Sequence, residues 1–278
     1  MTAISVSVGG ALASLHGIFS WPLFLITLLL AVILHGAVNL INDYYDVLSG
    51  VDTLETSTAQ YRPHPLLEGK LTPREVRNGA YLLFCIAIIF GSLLAAIRGW
   101  TILAIGTIGV VAGFTYTSPP FKYKYKAMGE ISVFLMWGPL MVEGSYWVQR
   151  QHLSMDAFWI SLPFGVLVAL VLLANNIRDI DHDQKKGIQT LPILMKERNS
   201  LWLYTTLIVA AYLSILLMSL LGLLPLWSLL IFISLPLAAR LLHKMAVNIP
   251  LDADAQTAQL DTAFGVLLVI SLVLERIL

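Results

Sequence analysis

Along this chain the apolar residues gather into nine blocks, at residues 2–15, 21–42, 76–97, 100–117, 130–149, 157–176, 201–221, 226–243 and 255–274. Charged residues, glycines and prolines punctuate the intervals. A bilayer core of about 30 Å takes roughly 20 apolar residues of helix, so eight of the blocks have the length of a membrane span. The first is too short to cross unaided and is expected to be a partial or tilted helix. The pattern predicts an all-α chain, a polytopic membrane helical bundle of about nine transmembrane helices.

Composition supports a lipid environment. Residues of the AVILMFWYC set make up 58% of the 278 and charged residues 12%, against about 45–50% and about 25% in soluble domains. Basic and acidic residues cancel at 17 each, so no nucleic-acid partner is expected. Their placement is uneven. Fourteen of the 17 Lys and Arg, from Arg62 and Lys70 to Arg240 and Lys244, fall on alternate connections, leaving only Arg98, Arg150 and Arg276 on the others. Basic residues near span ends set orientation, which predicts the rich side and the N-terminus in the cytoplasm, the C-terminus outside, and residence in the cell (inner) membrane. Cys85, the single cysteine, excludes an intramolecular disulfide and is expected to pack in the core. Residues 1–15 lack a basic n-region, so no cleavable signal is expected.

The acidic residues concentrate on the same side. Asn39, Asn42, Asp43 and Asp46 stand three and four apart, so a helix through Asp46 carries them as one polar stripe. Gly50 permits a turn that brings Asp52 back toward them. A second set, Asn175, Asn176, Asp179 and Asp183, repeats this spacing after the sixth block. Hydrocarbon cannot satisfy such stripes, so they must face the bundle interior or a wet cavity. Four blocks separate the sets, which puts both at one membrane face and hints at an internal duplication of four helices.

Two carboxylate faces at one mouth offer many hard oxygen ligands. Mg²⁺ takes one or two carboxylates and completes its shell with water and phosphate oxygens, with Mn²⁺ a possible substitute. Zinc would recruit histidine or cysteine, and neither clusters in the sequence. Paired aspartate faces beside an apolar, lipid-accessible cavity suit a polyprenyl diphosphate, whose head needs metal and basic donors and whose tail needs hydrocarbon walls. Arg178, Lys122 and Lys70 are candidate donors to the leaving diphosphate, and aromatic side chains are expected to shelter the allylic cation.

Asn42-Asp43-Tyr44-Tyr45-Asp46 with Gly50 and Asp52, together with Asn175-Asn176-Ile177-Arg178-Asp179-Ile180-Asp181-His182-Asp183 and Gly187-Ile188-Gln189-Thr190-Leu191, resembles the two aspartate-rich motifs of the UbiA superfamily of intramembrane prenyltransferases. The likeness runs from the second block to about Met195 and implies one UbiA-like domain over residues 1–278. Within the superfamily, the stretch from Tyr116 to Pro120, the stretch from Gly138 to Gln149, and Asn175-Asn176 are similar to the branch that prenylates 1,4-dihydroxy-2-naphthoate. The resemblance implies Mg²⁺ diphosphate held by Asn42, Asp43, Asp46, Asp52, Asp179 and Asp183. It further implies a catalytic role for Asp43, Asp46, Asp179 and Asp183, and substrate contacts from Asn39, Tyr116, Asn175 and Asn176. The acceptor would be 1,4-dihydroxy-2-naphthoate, prenylated with loss of its carboxyl group.

The chain departs from that pattern in places. The Arg-Pro pair that opens many members before the first span has no counterpart, so a shortened N-terminus is expected. His64-Pro65-Leu66 replaces an Arg-Pro-Leu, and Pro120 rather than lysine lies four beyond Tyr116, leaving Lys122 as the expected substitute. Glu143 is an acid in mid-block. Lys124 and Lys126 are expected to be positive-inside anchors, and His35 a packed core residue. Rival readings are an ion-coupled transporter, which would place acids near the bilayer midplane, a CDP-alcohol phosphotransferase, whose single continuous motif is missing, and a superfamily member acting on 4-hydroxybenzoate, haem, a chlorophyll precursor or a glyceryl phosphate lipid.

Overall fold

The computed structural model describes residues 1–278 and is all-helical. In chain order the helices are α1 (Thr2–Leu15), α2 (Trp21–Leu48), α3 (Ser57–Tyr61), α4 (Pro73–Arg98), α5 (Trp100–Thr115), α6 (Gly129–Leu135), α7 (Met141–Arg150), α8 (Met155–Arg178), α9 (Ile180–Lys185), α10 (Leu191–Met195), α11 (Glu197–Leu220), α12 (Leu235–Val247) and α13 (Ala253–Ile277). A 3₁₀ segment, Leu226–Ser234, leads into α12. Six helical segments are long and apolar enough to cross a membrane, and α1 and α5 are shorter apolar helices. The fifth block is broken: a π-turn at Met136–Leu140 joins α6 to α7, where Gly138 leaves helical geometry and Pro139 cannot donate to the ladder.

Helix ends follow local chemistry. Thr72 and Glu75 close a reciprocal capping box on α4, with Pro73 in its first turn. Gly99, at φ +97°, separates α4 from α5. Glu143 accepts a hydrogen bond from the backbone N of Ser154 at 3.2 Å, and Ser154 in turn caps Ala157. The mid-block acid is therefore a buried acceptor for the start of α8, and it neither faces the cavity nor meets a tyrosine hydroxyl.

Packing is lopsided. The large core joins α1, α7, α8, α11, α12 and α13 around Tyr146, Phe164, Tyr204 and Phe264. A small cluster of Ala37, Ile41, Ala80 and Phe84 ties α2 to α4. Leu29, Val32, Leu82 and Ile89 point outward, as lipid-facing residues must. Cys85 is exposed among them and is not a core residue, because its neighbours Phe84 and Ala87 take the inward face of α4.

Lipid tails are as apolar as leucine, so helices in a bilayer are held by close packing more than by burial from water. The kink of the fifth block uses this. A Cβ on Gly165 of α8 would sit 2.8 Å from Gly138 Cα and 2.9 Å from Phe134 O, so the two backbones touch only because both residues lack a side chain. Gly165→Val forces them apart, and overpacking of this kind costs about 1–3 kcal/mol. The variant is expected to unfold at lower temperature in detergent, read by the loss of near-UV circular dichroism.

Candidate active site

Both aspartate motifs end in the same turn. The backbone N of Val51 returns to Asp46 O at 2.9 Å, and that of Ile188 to Asp183 O at 3.0 Å. Four residues beyond each aspartate stands a glycine in left-handed conformation, Gly50 at φ +69° and Gly187 at φ +70°, a region that L side chains seldom enter. Asp52 N also returns to Asp46 O, at 3.1 Å, which folds Asp52 back beside the stripe on α2.

The two motifs line one cavity of about 730 Å³. Asn39, Asn42, Asp43, Asp46 and Asp52 approach from one side, Asn175, Asn176, Asp179 and Asp183 from the other, and Tyr116 lies between them. Away from this mouth the walls are mainly aliphatic, with Leu34, Ala87, Ile102, Gly106, Val110 and Leu140 among them. Aromatic lining is limited to Tyr116, Tyr123, Tyr125 and Trp137, less than the sequence led us to expect. The connection from Val51 onward crosses the mouth: Ser57 Oγ donates to Asp179 Oδ1 at 2.7 Å, Tyr61 OH to Asp254 Oδ2 at 2.6 Å, and His182 Nε2 lies 2.9 Å from Val51 O.

The acids divide into held and open groups. Asp46, 1% exposed, accepts from Lys124 Nζ at 2.6 Å, from Asn42 Nδ2 at 2.8 Å, and from the Tyr125 hydroxyl. Asp179 is gripped by Arg178 at 2.7 and 2.9 Å and by Ser57. Asp43, Asp52 and Asp183 have no side-chain hydrogen bond. Asp43 and Asp52 converge with His64, their ligating atoms lying within 4.8 Å of one another. The His64 Nε2 is buried without a hydrogen-bond partner, 3.6 Å from Asp52 Oδ2. Three open carboxylates, two asparagines and one histidine make an oxygen-dominated set, which fits a hard divalent cation.

Electrostatics follow from this crowding. Burial, and then the neighbouring Asp179, push the Asp183 carboxyl up to about 7. Burial and Asp46 likewise raise Asp52. Burial pulls the Lys124 ammonium down, but Asp46 outweighs it and holds the lysine above its usual value, so Lys124 stays charged.

Three of the basic residues singled out in the sequence stand elsewhere. Lys122 does not line the cavity, because it occupies a left-handed turn position at φ +45°. The 3₁₀ turn that follows, Tyr123–Tyr125, aims Lys124 inward instead. This loop is fixed by Lys124 N bonding to Tyr116 O and by Gln189 N bonding to Tyr125 O. Lys70 is exposed and paired with Glu68 at 2.5 Å. Arg178 has its donors engaged by Asp179, Asp254, Asn175, Thr58 and Leu251 O. It braces the second motif and is not a free donor. Lys124 and Arg62 are the cations that line the cavity. The sequence passed over Arg62, His64, Tyr125, His182 and Asp254 as site residues; His182 lies within the second motif, three beyond Asp179, while no spacing rule connects the other four to either stripe.

Acid-ended helices around a hydrocarbon-walled cavity are the arrangement of a membrane protein whose cavity pairs a cation-attracting mouth with an apolar interior. Residues 2–268 match the UbiA prenyltransferase family, and the chain belongs to that family; it is a prenyltransferase. It is 30% identical to the 1,4-dihydroxy-2-naphthoate octaprenyltransferase of Bacillus subtilis over 98% of this chain and 88% of that protein. With the Escherichia coli protein of the same name it shares 29% over 85% and 78%. Its fold is similar to a UbiA homologue from Aeropyrum pernix (TM-score 0.70, 16% identity, 97% of each chain). A second solved homologue, from Archaeoglobus fulgidus with GPP and Mg²⁺ bound, gives TM-score 0.64 at 15% identity over 98% and 95%.

A raised Asp183 has a measurable consequence. A carboxyl at about 7 must lose its proton before it can ligate a cation, so binding through Asp183 would release that proton. Divalent-ion affinity, followed with Mn²⁺ as a paramagnetic probe, is expected to be flat above pH 8 and to fall about tenfold per pH unit below 7. Asp183→Asn is expected to make the slope shallower, the raised Asp43 and Asp52 supplying what remains.

Proposed function

We propose that the protein transfers a polyprenyl group from a polyprenyl diphosphate to an aromatic acceptor. The acceptor is 1,4-dihydroxy-2-naphthoate, which loses its carboxyl group as CO₂ to give demethylmenaquinone. One observation carries the first half of this reading: two acid-bearing helix ends face one cavity whose depth is aliphatic. That combination matches a charged head joined to a long hydrocarbon tail. The acceptor is inferred from the named relatives and from the stretches around Tyr116 and Gly138.

Asp43, Asp52 and Asp183, with Asn39 and Asn42, would hold Mg²⁺, or Mn²⁺ in its place, beside Asp46 and Asp179. Bound there, the ion supplies Lewis-acid stabilisation of the departing diphosphate. Lys124 and Arg62 line the same mouth and add fixed positive charge to the leaving oxygens. Lys124 already bridges Asn42 Oδ1 at 3.0 Å and Asp46, and its third N–H can turn to a phosphate oxygen while the pair with Asp46 is kept. The connection from Ser57 to Tyr61 covers the head group, and the aliphatic walls keep water from the allylic cation until the ring attacks.

The whole chain acts as one unit over residues 1–278. It is set in the cell (inner) membrane by nine crossings, with the N-terminus and both motif connections in the cytoplasm, as the clustering of basic residues on alternate connections supports. Glu143, the acid that fitted an ion-coupled transporter in the sequence, accepts from the start of α8 and does not line the cavity.

The test is purified protein with a labelled polyprenyl diphosphate, Mg²⁺ and a panel of aromatic acids. Prenylated product from the naphthoate supports the reading, while product from 4-hydroxybenzoate alone moves the protein to another branch. Asp43→Ala is expected to abolish turnover. Lys124→Met is expected to lower kcat/KM for the diphosphate by about 10²–10³, against less than about twofold for Lys122→Met, because only the former donor reaches the mouth.

A further inference from the structure

On the face of α2 that carries Asn39 and Asp43, His35 lines the cavity two helical turns deeper, about 12 Å from Asp43 along the axis. Its Nδ1 lies 2.7 Å from Thr2 Oγ1, and Trp137 Nε1 meets the same oxygen at 3.0 Å. An indole nitrogen only donates, so the Thr2 oxygen accepts from Trp137. The hydroxyl's single proton then has one acceptor within bonding distance, His35 Nδ1. The neutral imidazole is thereby fixed with its own proton on Nε2. Trp137 also holds the ring edge-on, with centroids 5.1 Å apart at 81°. Nε2 has no partner within the protein, and the ring borders the open cavity.

A donor at this depth has nothing to bind on a hydrocarbon tail. Three of the hydroxyls that line the cavity are already engaged: Ser145 donates to Val6 O at 2.7 Å, Thr27 to Leu23 O at 2.7 Å, and Ser132 pairs with Tyr123 at 2.9 Å. We propose that His35 Nε2–H binds a ring oxygen of the hydroxylated aromatic acceptor and holds the ring between α2 and Trp137, facing the prenyl carbon at the mouth. A hydrogen bond to that oxygen favours the ionised phenol, the form in which the ring carbon is most nucleophilic. Thr2 and Trp137 are positioning residues, since they set the tautomer and the plane of the imidazole. This inference rests on the aromatic-acceptor reading above.

The experiment uses the full chain in lipid nanodiscs, with calorimetric binding of 1,4-dihydroxy-2-naphthoate and separate KM values for that acid and for geranylgeranyl diphosphate. His35→Phe keeps the ring packed against Trp137 and removes both nitrogens. It is expected to weaken acceptor binding and raise acceptor KM by about 10–100-fold, the range for a hydrogen bond to a charged oxygen, with the diphosphate KM unchanged. His35→Gln restores most of the loss, because its amide N–H reaches the place of Nε2. Thr2→Val gives a smaller rise in acceptor KM, reversed by Thr2→Ser. Unchanged acceptor affinity in His35→Phe overturns the proposal, as does an equal shift for both substrates. If the wild type binds and prenylates 4-hydroxybenzoate instead, the naphthoate reading fails and the same variants on that acid decide the role of His35. If the wild type binds no hydroxylated aromatic acid, the role assigned to His35 falls too.

Discussion

The structure depends on a carboxylate that cannot be left alone. Asp46 is almost wholly buried at the end of an apolar helix, where an unpaired charge is costly. Lys124, Tyr125 and Asn42 meet that demand together. Ion pairs of this kind add little net stability over apolar packing, yet losing one partner typically costs about 3–5 kcal/mol. The pair therefore acts chiefly as a placement device. It binds the loop after α5 to the end of α2, and the backbone bonds of that loop to Tyr116 and Gln189 carry the constraint on to the second motif. Arg178 does the corresponding work at the end of α8, joining Asp179, Asn175, Thr58 and Asp254.

The lopsided core follows from what the cavity must hold. Helices α8, α11 and α13 are packed on several faces and form a rigid wall behind the second motif. Helices α2, α4 and α5 share only two small clusters, one of them with α7, and divide their remaining surface between cavity and lipid. A thin wall of this kind suits a tail continuous with the bilayer, because a methylene loses little on passing between two apolar surroundings. The diphosphate end differs, since its charges are worth most where water is excluded.

Much of this was legible in the sequence. Each of the nine apolar blocks is helical, and the spacing of three and four brought Asn39, Asn42, Asp43 and Asp46 onto one face of α2; Asn175, Asp179 and Asp183 reach the same mouth although α8 ends at Arg178 and Asp183 stands on the short α9. Periodicity governs such features, and periodicity is local. What it misses depends on loop geometry and neighbours. Lys122 and Lys124 differ by two residues in an unpatterned loop, and only a left-handed residue followed by a 3₁₀ turn decides which faces inward. Arg178 reads as a free cation until Asp254, 76 residues away, is found against it. Glu143 reads as a buried anomaly until the start of α8 supplies its donor. His64 joins Asp43 and Asp52 through a connection whose path no hydrophobic pattern encodes.

The recurrence of one turn after both motifs shows how the site divides its work. Asp46 and Asp183 occupy the same place, each four residues before a left-handed glycine and each receiving a backbone N–H five residues on. Their surroundings are opposite: Asp46 is paired with Lys124, whereas Asp183 has no partner and stands beside the charge of Asp179. Within each motif a second acid takes the opposite role. Asp43 is open where Asp46 is held, and Asp179 is held where Asp183 is open. A mouth in which every acid was paired would be stable and inert, and one in which none was paired would repel itself apart. Alternation lets the held acids fix the two helix ends at a constant separation, while the open ones remain short of positive charge, a deficit that an incoming cation is suited to relieve.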